Sequence, residues 1–438
     1  MVATRWFEDV VRMRVDPLGV VLDGARRGKD LVHLRYGPWP VWMVYAPEHV
    51  RKVLVEHPEQ LGRQTRGQKL LRRTLGLSML TAEDEEWRWR RRVAQPSFKR
   101  DVLKGFDGVI VQAAERLADE MLASEGPVDL SVAMSDLALH VACSVLFADD
   151  LGPDAALVHD GLNRVLAGYL RLSMHPIATA DQWPLPRSIR FRAARRQLSD
   201  VMGRVVERRR ARPPGDDLLS TWLAAHRPDG APMNATELDA EGVTMLLAGH
   251  ETTANAMAFA FGLLARSPQV ARRVLAELDE VLGDRPVTHA DLDRLPFLSA
   301  VFEETLRLYP PAWIVSRSTR VPMTLGRHEL PAGAFVFVPI HAVHRLPAHW
   351  DDPEGFDPDR WLDGRGERAR KAGAYLPFGA GQRRCIGEHL GRMEARLVMA
   401  TVLRRVRLEL LPGEMLAPEV SVTLRPRGGL SVRASARA

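Results

Sequence analysis

The sequence predicts a mainly α-helical fold with a small β component. Apolar residues recur at helical spacing through much of the segment from Glu83 to Leu308. Runs that read as strands are short, and they lie before residue 46 and after residue 312. No internal repeat and no low-complexity tract is found. These observations favour one large helical domain over residues 1–438.

The helices are predicted from apolar periodicity, and Pro47 opens an additional helical stretch that ends at Glu56. The long helix near residue 250 is so apolar in its second half, Ala254–Ala265, that this half is expected to be buried on all sides. The other predicted helices are Glu83–Met121, Met134–Phe147, Phe191–Arg210, Glu237–Leu264, Gln269–Leu282, Leu298–Leu308 and a last helix that starts near Ile386.

The predicted strands are separated by turn residues such as Gly37-Pro38-Trp39-Pro40. Between Leu346 and Gln382 the chain has little periodicity, and an aperiodic stretch of that length indicates a functional role. The strand candidates are Leu31–Tyr36, Val41–Tyr45, Trp313–Arg317 and Phe335–Pro339, with a terminal hairpin over Val420–Arg433.

Composition excludes several classes of protein. Hydrophobic residues make up 46% of the 438 residues, but no run of 18 apolar residues occurs, so no transmembrane helix is expected. The segment Met1–Arg14 lacks the apolar core of a signal peptide, which predicts a cytoplasmic location. The chain has two cysteines, too few for a disulfide framework or a cysteine-rich zinc or iron–sulfur site.

The formal net charge is +6, which raises the question of nucleic-acid binding. The basic residues are scattered along amphipathic helices with acidic residues between them, so nucleic-acid binding is not expected. A basic face that receives an acidic redox protein is a better interpretation of the excess. Arginine greatly outnumbers lysine, as is typical of GC-rich bacterial genomes.

The segment Phe378–Gly387 carries the strongest chemical signal. Its cysteine, Cys385, sits on a glycine-rich loop at the start of a predicted helix. Such a loop lets backbone amides approach the sulfur, and the positive end of the helix favours an anion, so both features stabilise a thiolate. Cys143 lies on an apolar helix without nearby glycines and is interpreted as buried and inert.

The pattern Phe-x-x-Gly-x-Arg-x-Cys-x-Gly over residues 378–387 resembles the haem-binding signature of the cytochrome P450 family. The resemblance implies a cytochrome P450 fold: a triangular, mainly α-helical domain with a small β region. Haem b would lie between the long central helix and the helix after the cysteine loop. Cys385 would be the axial ligand of the haem iron, with Phe378, Gly379, Arg383 and Gly387 as further cofactor-binding residues.

Glu304 and Arg307 form a Glu-x-x-Arg pair one helical turn apart, on the side opposite the main apolar face of their helix. Such pairs are common on exposed faces, so the pair alone is a weak signal. In the resembled family it is buried and clamps an arginine from the aperiodic loop. Arg360, in Phe356–Trp361, matches that third member, and the implied role is to hold the loop that presents Cys385.

The segment Ala248–Thr253 interrupts the pattern of the long helix. Glycine and two β-branched threonines weaken a helix locally, and a threonine hydroxyl can bond to a carbonyl one turn back. A kink or a widened turn is therefore expected. The segment resembles the oxygen-binding groove of the family. That implies that Thr252 hydrogen-bonds the bound oxygen and Glu251 relays protons, while Ala248 and Gly249 contact the cofactor and His250 has no assigned role.

Haem carries two propionates, whose charges need partners when enclosed. Trp87 and Arg91 lie four residues apart on one helix face and match the family's propionate-binding turn. By the same resemblance Arg317 and Arg383 complete the set. Their neighbours Arg88, Arg90 and Arg92 are interpreted as a solvated or partner-facing surface.

The resemblance implies a monooxygenase that activates O2 with two electrons and hydroxylates a C–H bond. No flavin, nicotinamide or iron–sulfur motif occurs, so no fused reductase is expected, and electrons would come from a ferredoxin and its ferredoxin reductase. Docking is expected around Arg384, Arg90 and Lys99, and the protein is expected to be a monomer without a membrane span.

Apolar residues predict a lipophilic substrate, with a terpenoid-like natural product as the preferred class. The expected pocket residues are Leu247, Ala312, Trp313, Ile314 and Val315. Three alternatives stay open: a peroxide-driven haem-thiolate enzyme, a haem-thiolate sensor or ligand-binding protein, and a fatty-acid hydroxylase. In the last case Arg63, Arg66 or Lys69 would anchor the carboxylate.

Overall fold

A computed structural model describes residues 11–36, 39–173 and 179–437. Within these residues most of the chain is helical and the strands are short. The α-helices are α1 (Pro17–Arg26), α2 (Pro47–Arg51), α3 (Arg66–Leu75), α4 (Asp84–Ala94), α5 (Arg100–Leu103), α6 (Asp107–Ala123), α7 (Leu130–Phe147), α8 (Ala155–Ser173), α9 (Pro186–Arg210), α10 (Leu218–Ala224), α11 (Ala235–Arg266), α12 (Pro268–Leu282), α13 (Pro296–Leu308), α14 (Ile340–Val343), α15 (Arg365–Lys371) and α16 (Glu388–Arg405).

The strands form several small sheets. They are β1 (Leu31–Tyr36), β2 (Trp39–Val44), β3 (Leu61–Gly62), β4 (Val128–Asp129), β5 (Val315–Thr319), β6 (Met323–Leu325), β7 (His328–Leu330), β8 (Phe335–Val338), β9 (Val406–Leu410), β10 (Pro418–Val420), β11 (Leu424–Pro426) and β12 (Ser431–Ala436).

Sequence periodicity located most of the long helices but missed α8, which has 19 residues, and it was less accurate for the short elements. The helix predicted over Glu83–Met121 is divided into α4, α5 and α6. The predicted terminal hairpin is only partly correct, because β10 pairs with β11 whereas β12 pairs with β9 and β4. Helices α1, α3, α8, α10, α14 and α15 were not predicted.

The chain divides into two compact units. The first unit contains the chain up to Lys69 and the segment Glu303–Cys385. Its five-stranded sheet has the order β1-β2-β8-β5-β3, in which β2 and β8 are parallel and the other pairs are antiparallel. The hairpin β6–β7 and the aperiodic loop before Cys385 also belong to this unit.

The second unit spans Leu70–Phe302 and Ile386–Ala438, and its centre is α11. Asn234 caps this helix in a capping box with Glu237, and the helix ends before Pro268. Helices α7, α9 and α16 pack against α11, which explains why every residue from Thr253 to Leu264 is buried. The burial predicted for Ala254–Ala265 from its apolar composition is therefore confirmed up to Leu264, whereas Ala265 is half-buried.

Among the described residues, α7 alone is long and apolar enough to cross a membrane, judged by length and composition. In the structure 61% of its window is buried. Core helices pass the same test, and α7 packs against α6, α8 and α11 within its own unit. The helix is weak evidence for a membrane span.

Candidate active site

The first unit presents Cys385 on a tightly folded loop. The backbone N–H of Cys385 donates to the carbonyl oxygen of Phe378, 2.9 Å away, and so closes the loop. Gly379 and Gly381 have φ values of 72° and 69°, in the left-handed region that favours glycine. A Cβ at Gly381 would overlap the carbonyl oxygen of Leu54, so a side chain has no room there. The loop leaves Cys385 exposed.

The second cysteine, Cys143, has the opposite environment. It is fully buried in α7, and burial, together with the nearby charge of Asp149, raises the pKa of its thiol well above the usual range. A neutral, enclosed thiol is a poor ligand for a metal ion. Of the two cysteines, Cys385 alone is suited to chemistry.

Glu304, Arg307 and Arg360 form one buried ion cluster in the first unit, with at most 2% of each residue exposed. Arg307 binds the Glu304 carboxylate through two nitrogens at 2.9 and 2.8 Å, and Nε of Arg360 reaches it at 3.2 Å. The indole N–H of Trp361 donates to the same carboxylate at 3.0 Å, a partner that the sequence analysis missed.

The two arginines of this cluster also hold the aperiodic loop through its backbone. Arg307 donates to the carbonyl oxygens of Pro353 and Gly355, and Arg360 donates to that of Asp352. The three carbonyl oxygens lie in a segment with little regular structure. The cluster therefore gives shape to a loop that hydrogen bonds between strands or helices cannot hold.

In the second unit, the solvent exposure of the residues changes along α11. Residues 241–247 and 253–264 are buried, whereas Ala248 is exposed and Gly249 and Thr252 are half-buried. These three residues lie at positions i, i+1 and i+4, on one face of the helix. Thr252 Oγ1 donates to the carbonyl oxygen of Ala248 at 2.7 Å, as expected of a threonine at this position. The helix nevertheless runs without a break through the segment where an interruption was predicted.

Glu251 points to a different neighbour in the same unit. It is buried, and this burial raises the pKa of its carboxyl group to about 6. A hydrogen bond with Thr423 and the charge of Arg425, both on the β10–β11 hairpin, act in the opposite direction. Thr423 also accepts a hydrogen bond from Asn255 at 3.0 Å. A carboxyl group with this pKa can give and take protons near neutral pH.

His250 lies on the side of α11 that packs against α7 and α8. Its Nε2 is 2.6 Å from the hydroxyl oxygen of Ser135, which is 3.2 Å from Nε2 of His159. Burial, followed by the nearby His159, lowers the pKa of His250 to about 4. His250 is therefore neutral at pH 7. Its hydrogen bond with Ser135 links α11 to α7.

The four candidate propionate ligands fall in both units. In the second unit Trp87 is buried and Arg91 half-buried, one turn apart on α4. In the first unit Arg317 and Arg383 are half-buried, on β5 and on the 3-10 turn Gly381–Arg383. Burial, then repulsion from Arg63, lowers the pKa of Arg317 to about 9.

Arg90 is not at the surface, contrary to the interpretation of its neighbourhood as solvated or partner-facing. It is 2% exposed and donates to Glu241 at 2.9 Å and to Glu86 at 2.8 Å. Glu241 in turn accepts from the backbone N–H of Met79 at 2.9 Å. Arg90 lies three residues after the buried Trp87 and four before the buried Ala94, a helical spacing that indicated the buried face.

The predicted pocket residues are only partly enclosed. Trp313 and Leu247 are buried, while Ala312, Ile314 and Val315 are half-buried. The strand β5 begins at Val315, so the pocket residues Ala312, Trp313 and Ile314 precede it, and the strand predicted over Trp313–Arg317 starts two residues too early. Leu247 adjoins the exposed position of α11 in the second unit.

The residues present fit a haem group. Haem needs a soft anionic ligand for its iron and cations for its carboxylates. Cys385 is an exposed thiol on a closed loop, and Arg317 is a half-buried cation for which no ion pair is found within the described residues. These two residues thus suit the iron and the carboxylates of haem, respectively.

Comparison with known proteins identifies the family. A family model described as Cytochrome P450 matches residues 18–431. The chain belongs to the cytochrome P450 family. It is a cytochrome P450 monooxygenase with the mainly helical fold and small sheets of that family, as the sequence predicted. Family membership implies a haem-thiolate iron cofactor.

Three relatives of this P450 come from Streptomyces. Cyclooctatin synthase of Streptomyces melanosporofaciens is 36% identical over 401 residues, which cover 90% of this chain and 86% of the relative. Cyclooctat-9-en-7-ol 5-monooxygenase of the same organism is 36% identical over 398 residues, 88% and 84% of the two chains. Pentalenene oxygenase of Streptomyces avermitilis is 31% identical over 411 residues, 93% and 90% of the two chains.

Proposed function

We propose that this P450 binds haem b through the thiolate of Cys385 and hydroxylates a C–H bond of a terpenoid-like molecule. The observation that carries the proposal is the exposed Cys385 thiol on a closed, glycine-dependent loop, in a chain of this family. When bound, the haem supplies the oxygen-activating chemistry, and the protein positions, protonates and excludes water.

The residues around the cofactor have separate tasks in this proposal. Cys385 binds the iron, and Phe378, Gly379 and Gly387 shape the loop that holds the sulfur. Trp87, Arg91, Arg317 and Arg383 bind the propionates. The support for Arg91, Arg317 and Arg383 is their partial burial, since a half-buried guanidinium binds a carboxylate strongly. The support for Trp87 is its indole N–H, which can donate to a carboxylate.

Glu251 and Thr252 deliver protons in this proposal. Glu251 has a carboxyl group whose pKa of about 6 suits proton transfer near neutral pH. Thr252 carries a hydroxyl on the face of α11 where Ala248 is exposed. That hydroxyl can exchange its bond to Ala248 for one to a bound molecule. The role of the pair is to hold and pass protons, not to hold the cofactor.

The substrate class rests on apolar residues and on the names of the relatives. Ala312, Ile314 and Val315 are half-buried apolar side chains without a fixed charge among them. The relatives are named for cyclooctat-9-en-7-ol, an unsaturated alcohol, and for pentalenene, an unsaturated hydrocarbon. A lipophilic, largely apolar skeleton is the corresponding substrate for this enzyme.

Electrons come from a ferredoxin and its reductase in this proposal, because the sequence carries no flavin or iron–sulfur motif. Lys99 and Arg384 are exposed cations suited to an acidic partner. Arg90 is buried and is therefore not part of the proposed docking surface. A single P450 domain, a monomer and a cytoplasmic location stay predictions.

The test combines binding and turnover. Purified protein is titrated with cyclic terpenes, terpene alcohols and long-chain fatty acids while the haem spectrum reports the spin state. We expect the terpenoids to shift the spin state and to be hydroxylated with reduced ferredoxin and O2. Fatty acids that bind and are hydroxylated while terpenoids are inert would overturn the substrate class. Turnover with hydrogen peroxide but not with ferredoxin would overturn the electron route.

A further inference from the structure

Tyr375 is a buried tyrosine of the first unit whose hydroxyl lies against a carboxylate. It is 5% exposed, and its hydroxyl donates to Oε2 of Glu303 over 2.7 Å. The carbonyl oxygen of Glu303 lies farther from this hydroxyl, at 3.1 Å. Nη2 of Arg370 lies 3.2 Å from the same Oε2 and supplies a counter-charge. The phenol therefore has a base within direct reach of its proton.

The ring of Tyr375 is also packed among other aromatic rings. Its centroid lies 4.4 Å from that of Trp361 and 6.2 Å from that of Trp350, and the two tryptophans are 5.9 Å apart. Trp350 is buried, whereas Trp361 is half-buried. Electrons pass readily between aromatic rings at such distances, because their π orbitals are almost in contact. Trp361 therefore connects the buried phenol to solvent.

The position of Arg370 determines which ring of this group is best able to hold an oxidised state. Its guanidinium carbon lies 5.5 Å from the centroids of both Trp361 and Tyr375. A nearby cation disfavours an oxidised ring that carries a positive charge. The N–H of Trp361 is bonded to Glu304, which is a poor base because two arginines already bind it. The phenol instead becomes neutral on oxidation by giving its proton to Glu303, so Tyr375 holds the oxidised state best.

A short connection leads from Tyr375 to the cysteine loop. Tyr375 lies three residues before Phe378, whose carbonyl oxygen accepts the backbone N–H of Cys385 at 2.9 Å. Electrons tunnel through covalent bonds and hydrogen bonds more effectively than through space. An oxidant bound at the sulfur can therefore draw an electron from this phenol.

We propose that Tyr375 is a redox-active tyrosine, with Glu303 as its proton acceptor and Trp361 as its contact with small reductants. The inference rests on the proposed function, because the oxidant is the haem after its reaction with hydrogen peroxide. Tyr375 gives one electron to that oxidant, its O–H bond breaks, and a new O–H bond forms on Glu303. A soluble one-electron reductant of the ascorbate class returns the electron through Trp361, and the proton returns to the phenol oxygen. This further activity removes oxidising equivalents that no substrate has consumed.

The first arm of the test follows haem-loaded protein after addition of hydrogen peroxide. Samples are frozen at short times, and electron paramagnetic resonance detects radicals, with ring-deuterated tyrosine to identify a tyrosyl signal. We expect such a signal in the wild type and its loss in Tyr375→Phe. Tyr45→Phe, which removes another buried tyrosine of the first unit, is the matched control and should keep the signal. Glu303→Gln keeps the size of the side chain but is a far weaker base, so it should lower the yield of the radical.

Reduction by ascorbate tests the connection to solvent. Ascorbate should slow the bleaching of the wild-type haem absorbance by peroxide, and most of this protection should be lost in Tyr375→Phe. Trp361→Phe should form the tyrosyl radical but should lose it more slowly when ascorbate is added. Circular dichroism and the ratio of haem to protein show whether each variant is folded and loaded.

The second arm supplies an oxidant that does not depend on haem. Illuminated tris(bipyridine)ruthenium with persulfate oxidises the protein, and transient absorption records the tyrosyl radical. Tyr375→Phe should lower the yield more than Tyr45→Phe, and the formation of the wild-type radical should be slower in D2O than in H2O because a proton moves with the electron. Glu303→Gln should form less radical than the wild type.

The redox role is wrong if Tyr375→Phe keeps the wild-type radical signal in both arms, or if Glu303→Gln equals the wild type in both. Variants that are less stable in urea but unchanged in radical yield would likewise overturn it, because the hydrogen bond would then serve only the fold. A wild-type protein that retains no haem would instead overturn the proposed function. The ruthenium arm then still tests the pair of Tyr375 and Glu303.

Discussion

The backbone N–H of Leu376 donates a hydrogen bond to Nε2 of His344 over 2.9 Å. Because Nε2 accepts, the ring carries its proton on Nδ1, which faces the carbonyl oxygen of Arg307 at 3.3 Å. Burial and the charges of Arg307 and Arg345 lower the pKa of His344 to about 3, so the ring stays neutral. His344 thereby joins the buried Glu304 cluster to the loop that leads to Cys385.

Loss of the Glu304 carboxylate should disable this connection. Glu304→Ala leaves Arg307 and Arg360 as buried cations without their shared partner, a defect of about 3–5 kcal/mol. We expect insoluble or haem-free protein, measured by soluble yield and by the ratio of haem to protein. Arg88→Ala, at an exposed pair with Glu85, should be nearly silent. Soluble, fully haem-loaded Glu304→Ala protein would contradict this account of the cluster.

Substitution of Cys385 and substitution of Cys143 should have different effects on the spectrum of the reduced carbon-monoxide complex. Cys385→Ser removes the exposed thiol and should abolish the thiolate-type band. Cys143→Ser changes a buried thiol on α7 whose pKa is raised, so the band should persist even if stability falls. A band that survives in Cys385→Ser and vanishes in Cys143→Ser would show that the ligand has been misassigned.

Thr252 has a matched control on its own helix. Thr244 donates to the carbonyl oxygen of Ala240 at 2.6 Å, the same bond one turn back that Thr252 makes to Ala248. Thr252→Ala should keep haem and substrate binding while electrons are diverted to hydrogen peroxide, because its hydroxyl serves protonation. Thr244→Ala should keep electron consumption coupled to product. Equal coupling in the two variants would remove the proposed role of Thr252.

The sequence predicted features that depend on residues close to each other in the chain better than features that depend on distant residues. The long helices and the Cys385 loop follow from local patterns, apolar periodicity and glycine-rich turns, which are present in the printed residues. Glu304, Arg307 and Arg360 were found because a family motif supplied the spatial relation that sequence separation hides. Without that motif a Glu-x-x-Arg pair looks like any exposed helix pair.

The residues that were missed act over long sequence separations. Thr423 contacts Glu251 across about 170 positions, and His344 reaches the cysteine loop from a separate segment. Their partners are set by packing, which no local pattern specifies. Arg90 is a different case, because its helical spacing from the buried Trp87 and Ala94 places it on the buried face of α4 despite its charge.

The hydrogen bond between Glu251 and Thr423 predicts a shift in pH dependence. That bond lowers the pKa of Glu251, so Thr423→Val should raise it further above its present value of about 6. The protonated carboxyl group then persists to higher pH, and the alkaline limb of coupled turnover should move upward. Thr423→Ser, which keeps the hydroxyl, should retain the wild-type profile. A downward or absent shift in Thr423→Val would argue against proton transfer through Glu251.

His250 makes the stability of the protein depend on pH in a defined direction. Its pKa is about 4 in the folded state, chiefly through burial, and 6.5 is the ordinary value. Between these values the unfolded state binds more protons, so this contribution to the free energy of unfolding is complete above pH 6.5 and is lost as pH falls towards 4. The loss amounts to about 3 kcal/mol. His250→Gln does not titrate, so its free energy of unfolding in urea should depend less on pH, and His341 and His344 cancel because both proteins contain them. Parallel pH profiles for the two proteins would show that His250 is not buried in its neutral form.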